Sequence, residues 1–282
     1  MSTPRSSAIV WALLASLVTS TACTPAFVAT RPYPAPDATA LLGALRARQA
    51  AVHGAELETR TTSWLQGQRT RATVYMLVDR IGRLRFEAEV ALQGTVATLI
   101  TDGQTFSLAD FQNHVGKRGP ACPENVASLI PVPLMPAQIA AVLLGDLPLS
   151  PAARVVKVTW DGKAAADVAE LEDRDARGAV THLFATVRPA GAGLEILALE
   201  GETPGQSARW RVAFDELKDE GGQKLPQLIR FAEPGRTFED GVEIKVKERK
   251  LNPTFRPVAF TPVPPEGFPV ETMSCGRPAP RP

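Results

Sequence analysis

The sequence predicts a mainly β chain with few helices: a curved antiparallel up-and-down sheet, with short helices lying across its mouth. Three observations predict it. Period-two alternation recurs, as in Leu84, Phe86, Ala88 and Val90 against Arg85, Glu87 and Glu89, the pattern of a half-buried strand. Turn signals fall at short intervals, from Asp102-Gly103 to Asp240-Gly241, as hairpins require. Between them lie two apolar segments, Val126 to Leu134 and Ala137 to Leu144, each following a proline, the second stopped by Gly145. Proline near the start and glycine past the end mark short helices.

The chain opens with Arg5 and the apolar run Ala8 to Val18. A basic start, a short apolar run and small residues before a break describe a secretory signal over residues 1–22. The run is shorter than the roughly 20 apolar residues that span a bilayer. Ser20-Thr21-Ala22 directly precede Cys23, which resembles the lipobox of bacterial lipoproteins, where the peptide is cut before a cysteine that is then acylated with palmitate-type chains. Thr24, not Asp, follows Cys23. The resemblance therefore implies a lipid-anchored protein at the outer membrane of a bacterial cell envelope, facing the periplasm. Residues 23–36 are then the lipidated cysteine and a proline-rich tether, standing the domain off the membrane.

Residues 37–251 form the predicted domain. Asp37 caps a helix in which Leu41, Leu42, Leu45, Gln49 and Val52 share a face, with Arg46 and Arg48 outside and Gly54 ending it. Strands follow at Ala55 to Trp64 and Thr70 to Asp79, the latter apolar on both faces and expected to be covered on both. Three more follow at Arg83 to Leu92, Thr95 to Thr101 and Gln104 to Asp110. After the helical segments, strands are expected at Arg154 to Trp160, Ala179 to Val187, Leu194 to Leu199, Ala208 to Phe214, Leu228 to Phe231 and Val242 to Val246. The acidic run Glu170 to Asp175 reads as a solvated hairpin tip. Residues 252–282 are a proline-rich, extended tail whose Phe255, Phe260 and Phe268 dock it on the sheet.

Composition excludes several functions. Without residues 1–22 the chain carries 30 Lys+Arg and 30 Asp+Glu, so no positive excess favours nucleic acid. His53, His114 and His182 are scattered, and neither the cysteines nor the histidines have metal-ligand spacing. The sequence contains no GxSxG, P-loop or GxGxxG pattern, so no enzyme and no cofactor is expected. With Cys23 acylated, Cys122 and Cys275 remain as an even pair in an exported chain, which suggests a disulfide. Two free thiols are the alternative.

Several segments together point to a family. They are the helix Ala38 to Val52, Leu84-Arg85-Phe86, Asp102-Gly103-Gln104-Thr105-Phe106, Gly116, and Leu143-Leu144-Gly145-Asp146-Leu147-Pro148. In this order the chain resembles the lipoprotein-localisation-factor (LolA/LolB-like) superfamily of bacterial outer-membrane lipoproteins. The resemblance implies a strongly curved sheet forming an incomplete β-barrel, with short helices lidding a cavity on the concave side that holds acyl chains. The lid and cavity residues would then be Val126, Leu129, Ile130, Leu134, Ile139, Val142, Leu143 and Leu144, with Phe86 beneath them. Plain core packing explains the same residues. The leading expectation is a carrier or acceptor of an acyl chain or lipoprotein lipid. The alternative is a structural or assembly lipoprotein that meets an envelope protein through the same scaffold, without a ligand.

Overall fold

The computed structural model describes residues 28–65, 68–126, 132, 134–174, 180–191, 193–202 and 209–276. The expected signal segment, Cys23, and most of the segment expected as a helix from Val126 to Leu134 lie outside the described residues; of that segment Val126 ends a helix begun at Pro123, and Val132 and Leu134 are not helical.

The chain enters through α1 (Ala38–Ala51), where the Asp37 carboxylate accepts from the Thr39 and Ala40 amides, both at 2.9 Å. Six strands then meander: β1 (Gly54–Leu65), β2 (Gln68–Asp79), β3 (Leu84–Val90), β4 (Gly94–Thr101), β5 (Thr105–Asp110) and β6 (Val115–Pro120). Two short helices follow, α2 (Pro123–Val126) and α3 (Pro136–Leu143). A second meander runs through β7 (Arg154–Asp161), β8 (Ala166–Arg174), β9 (Val180–Ala190), β10 (Gly193–Gly201), β11 (Trp210–Glu220), β12 (Gln223–Ala232) and β13 (Val242–Leu251). The short β14 (Val270–Thr272) is the last element.

Among the described residues fourteen strands form one curved sheet that does not close, in the order β14-β6-β5-β4-β3-β2-β1-β13-β12-β11-β10-β9-β8-β7. Each neighbouring pair is antiparallel except β14 with β6. The seam between the two meanders is β1 against β13, with Ala55 opposite Leu251 and Ser63 opposite Val242. The free edges are thus β14 and β7. The segment that carries α2 and α3 runs from β6, near one edge, to β7 at the other, and this connection places it across the concave face.

Alternation decides which face each strand buries. Leu57, Met76, Phe86, Leu99, Ile196, Val212, Ile229 and Ile244 point to the concave side and join Leu41 and Leu45 of α1 in one core. Helix α1 packs on β7 and β10, and α3 on β2. Two glycines admit the helical segment. Gly82 has φ +95°, and a Cβ there would come within 2.8 Å of the Ala137 amide at the start of α3. Gly145 has φ +78°, and its Cβ would stand 2.7 Å from Pro226 Cδ. A side chain at either position meets both a backbone penalty and a collision.

The tail covers part of the outer face. Phe255 meets Phe260 edge-on at 5.1 Å, Arg83 lies over the Phe260 ring at 5.1 Å, and Phe268 meets Phe111 and His114. Val270 to Thr272 then pair with Gly116 to Arg118. Cys122 and Cys275 form a disulfide with Cα atoms 6.0 Å apart, spanning 153 residues of sequence. The described part of the tail thus meets the domain through the three phenylalanines and is stapled to it.

Four expectations are corrected. Glu170 to Arg174 belong to β8, an internal strand, and Asp173 is buried, accepting from the Ser150 amide at 2.8 Å and from its hydroxyl. Strand β2 is not covered on both sides: Tyr75 is exposed. Residues 28–33 are not a free tether but lie on the β7–β8 hairpin. Arg48 is buried rather than outside.

At the β3–β4 turn, Leu92 is fully exposed with φ +68°. A leucine gains nothing there and carries the left-handed backbone penalty. Leu92→Asn is expected to raise stability by about 0.5–1 kcal/mol, read as an increased urea midpoint at unchanged slope.

Candidate functional site

The candidate site is the concave face under α2 and α3. Val126, Leu134, Ile139, Val142, Leu143, Leu144 and Phe86 all have 4% exposure or less and belong to the same core cluster. The structure thus places the described ones among the predicted lid residues in one core cluster with Phe86. Leu129 and Ile130 lie outside the described residues. Helix α3 begins at Pro136, whose missing amide costs nothing at a first turn. The Gln138 side chain accepts from the Met135 amide at 2.9 Å, closing that end. Every residue of α3 from Ile139 to Leu143 is buried, so α3 lies inside the core rather than on it.

The lid is held at its far end by charges, and this anchoring was not read from the sequence. Asp146, 1% exposed, pairs with Arg48 Nε at 2.8 Å and Arg80 Nη2 at 2.5 Å. Arg48 also donates to the carbonyls of Leu194, Gly145 and Lys224 at 3.3, 3.1 and 2.8 Å, and Arg80 to that of Val52 at 2.6 Å. Gln49 reaches the Leu147 carbonyl at 2.7 Å. One carboxylate thus ties α1, the β2–β3 turn and the segment leaving α3. Burial pushes the Asp146 carboxyl up, although Arg80 and Arg48 pull it down. Burial likewise pushes the Arg48 guanidinium down against the pull of Asp146. Nearby, Arg249 pairs with Glu220 at 3.2 Å and is lowered by burial in the same way. The concave face is therefore apolar in its middle and charged but paired at one end. The sequence signal was the aspartate within Leu-Leu-Gly-Asp; its arginine partners sit far away in sequence and carry no local mark.

A pocket of about 440 Å³ lies on the opposite, outer face, over β1, β2, β3 and β13. Tyr75 and Leu77 line it between Glu56, Glu58, Glu87 and Glu248. Glu58 stands directly opposite Glu248 in the ladder. The Glu58 carboxylate, with help from partial burial, Glu89 and Glu248, pushes the Tyr75 phenol up. Among the described residues no group of three or more His, Cys, Asp or Glu side chains is placed to hold a metal. No described helix is long and apolar enough to cross a membrane.

No family model and no curated protein sequence matches the chain. Solved structures do. A LolA superfamily protein from Nitrosomonas europaea superposes with a TM-score of 0.54 at 9% identity, covering 77% of this chain and 97% of its own. An outer membrane lipoprotein-sorting protein domain, so described, from Vibrio parahaemolyticus gives 0.54 at 11%, covering 78% and 95%. A DUF1329 family protein from Desulfovibrio piger gives 0.53 at 10%, covering 77% and 97%. At these identities the likeness shows the fold alone: the curved, open sheet with its short helices is similar to the fold of these proteins.

Proposed function

We propose that this LolA-type fold serves as a lipid-anchored envelope lipoprotein that holds an acyl chain, or the lipid of a lipoprotein, on its concave face as carrier or acceptor. Cys23 bears the anchor, and the domain faces the periplasm from the outer membrane. The observation that carries the proposal is the lid: a helical segment whose α3 buries the unbroken apolar run Ile139 to Leu143, laid along the concave face between distant edges of an open sheet.

Magnitudes favour exchange. Burying an acyl chain of about 15 carbons gains on the order of 12 kcal/mol, at roughly 0.8 kcal/mol per methylene. Lifting six lid side chains, at about 1.5–3 kcal/mol each, costs a similar amount. Hydrocarbon replaces hydrocarbon with little net change, which suits a protein that must both take up and release a lipid. Native mass spectrometry of residues 24–282, exported to the periplasm, tests this. Discrete adducts in the lipid mass range, lost on organic extraction, are expected; a bare mass at every extraction condition overturns the carrier role.

A second reading, a structural or assembly lipoprotein, is favoured by the filled concave face and by the pocket on the outer face. It predicts a stable envelope protein crosslinked through the β1–β2–β13 surface, and no lipid adduct.

A further inference from the structure

We infer that residues 28–33 form a docked strap that fixes which end of the sheet faces the membrane, namely the end bearing the β7–β8 turn. The strap is held by a built site. The Ala29 amide donates to the Gly162 carbonyl at 2.9 Å, and the Trp160 indole donates to the Ala29 carbonyl at 2.7 Å. Arg31 Nη2 pairs with Asp167 Oδ1 at 2.5 Å, and the Asp167 side chain is 1% exposed. The Arg31 guanidinium also lies 5.5 Å over the Trp160 ring, and Tyr33 meets that ring edge-on at 5.8 Å. A buried carboxylate requires a counter-charge, and the strap brings it. Gly162 makes room for this contact: a Cβ there would strike Val28.

The register places this end relative to the rest. Asp161 is opposite Ala166, Asp167 opposite Val187, Gly193 opposite Ala190, Glu220 opposite Gln223, and Gly54 opposite Asp79. The turns at 162–165, 191, 221–222 and 80–83 therefore share one end of the sheet. The β3–β4 turn with Leu92 lies at the other, a strand length of roughly 30 Å away. Val28 and Ile81, 62% and 69% exposed, are apolar side chains left bare at the strap's end, as a lipid-facing surface permits.

The inference rests on acylation of Cys23. From Cys23 to Val28 the chain reaches at most about 18 Å when fully extended. An anchor at Cys23 therefore keeps the β7–β8 end close to the bilayer and holds the Leu92 end away from it. The tether that composition suggested is mostly committed to the protein surface, leaving a short leash.

The test imposes the anchor chemically, so that it does not depend on cellular acylation. The mature chain, with its Cys122–Cys275 bond intact, is coupled through Cys23 to a maleimide phospholipid in phosphatidylcholine–phosphatidylglycerol vesicles. A fluorophore is clicked onto Lys163→azidophenylalanine or Leu92→azidophenylalanine, and quenching by nitroxide-headgroup lipid is read. Quenching at position 163 is expected to exceed that at 92 several-fold, and Arg31→Ala is expected to bring the ratio towards one. Equal quenching in the unmutated strap, or more at 92, overturns the inference. A ratio unchanged by both Arg31→Ala and Trp160→Ala overturns the role given to the strap. The mass of the protein purified from its native membrane reports separately on Cys23, so failure of the anchor and failure of the strap are distinct results.

Discussion

Asp146→Ala is expected to destabilise the protein by about 3–5 kcal/mol, the cost of leaving a buried partner charge uncompensated. The carboxylate is the shared acceptor of Arg48 and Arg80. Arg48 has no route to solvent: its side chain is 6% exposed and its other nitrogens are committed to backbone carbonyls. Asp146→Asn keeps the shape and an acceptor but not the charge, and should cost less than alanine. The informative variant is the double replacement Arg48→Met with Asp146→Leu. Removing both charges ends the desolvation cost at both sites, so the double variant should recover much of the loss. Urea unfolding of the three variants at one pH checks this. A double variant no more stable than Asp146→Ala would mean that the carbonyl bonds from Arg48, not the ion pairs, hold the lid end.

Loss of the Cys122–Cys275 bond is expected to have the second large effect. It closes a loop spanning 153 residues, for which the chain-entropy model gives about 5 kcal/mol and measured values usually fall nearer 2–4 kcal/mol. Cys122→Ser with Cys275→Ser should therefore lower the stability by about 2–5 kcal/mol. Release of the tail would also uncover outer-face side chains that are buried in spite of their orientation, Ile100 and Ala109 among them. Protease cleavage after Arg256 should appear in the double variant well before global unfolding. Tail cleavage at the same rate with and without the bond would show that Phe255, Phe260 and β14 hold the tail unaided.

The parts of the fold that were legible are those where one face is plainly apolar. Leu84, Phe86 and Ala88 against Arg85 and Glu87 marked β3 and its facing, and Asp102-Gly103 marked the turn between β4 and β5. Strand β6 was missed because Val115 to Pro120 reads Gly-Lys-Arg-Gly in its middle; it is a strand because β5 and β14 pair with it. Strand β8 was misread because its buried face is Ala169, Leu171 and Asp173, weak or misleading as a hydrophobic signal. Arg48 looked solvated because a charge on a helix usually is; its partner Asp146 becomes a neighbour only through the fold. The lid was legible as an apolar, proline-studded interruption between two meanders. Whether its side chains fill the concave face or line a space depends on packing between distant strands, which no local pattern encodes. The strap was invisible for the same reason: Arg31 meets Asp167 across 136 residues.

The seam between β1 and β13 has a consequence for the order of events as the chain folds. Every other strand pair outside the tail joins consecutive strands, so each meander can zip from local turns. The seam joins residues nearly the whole domain apart, such as Ala55 and Leu251, and long loops close last and slowly. Until it forms, the concave face is split between two half-sheets and α3 has only part of its bed. Substitutions at seam positions such as Thr59 and Val246 should therefore slow refolding, while substitutions confined to α3 should mainly hasten unfolding. The order in which the fold is built thus leaves the lid to settle last, on a bed that the seam completes.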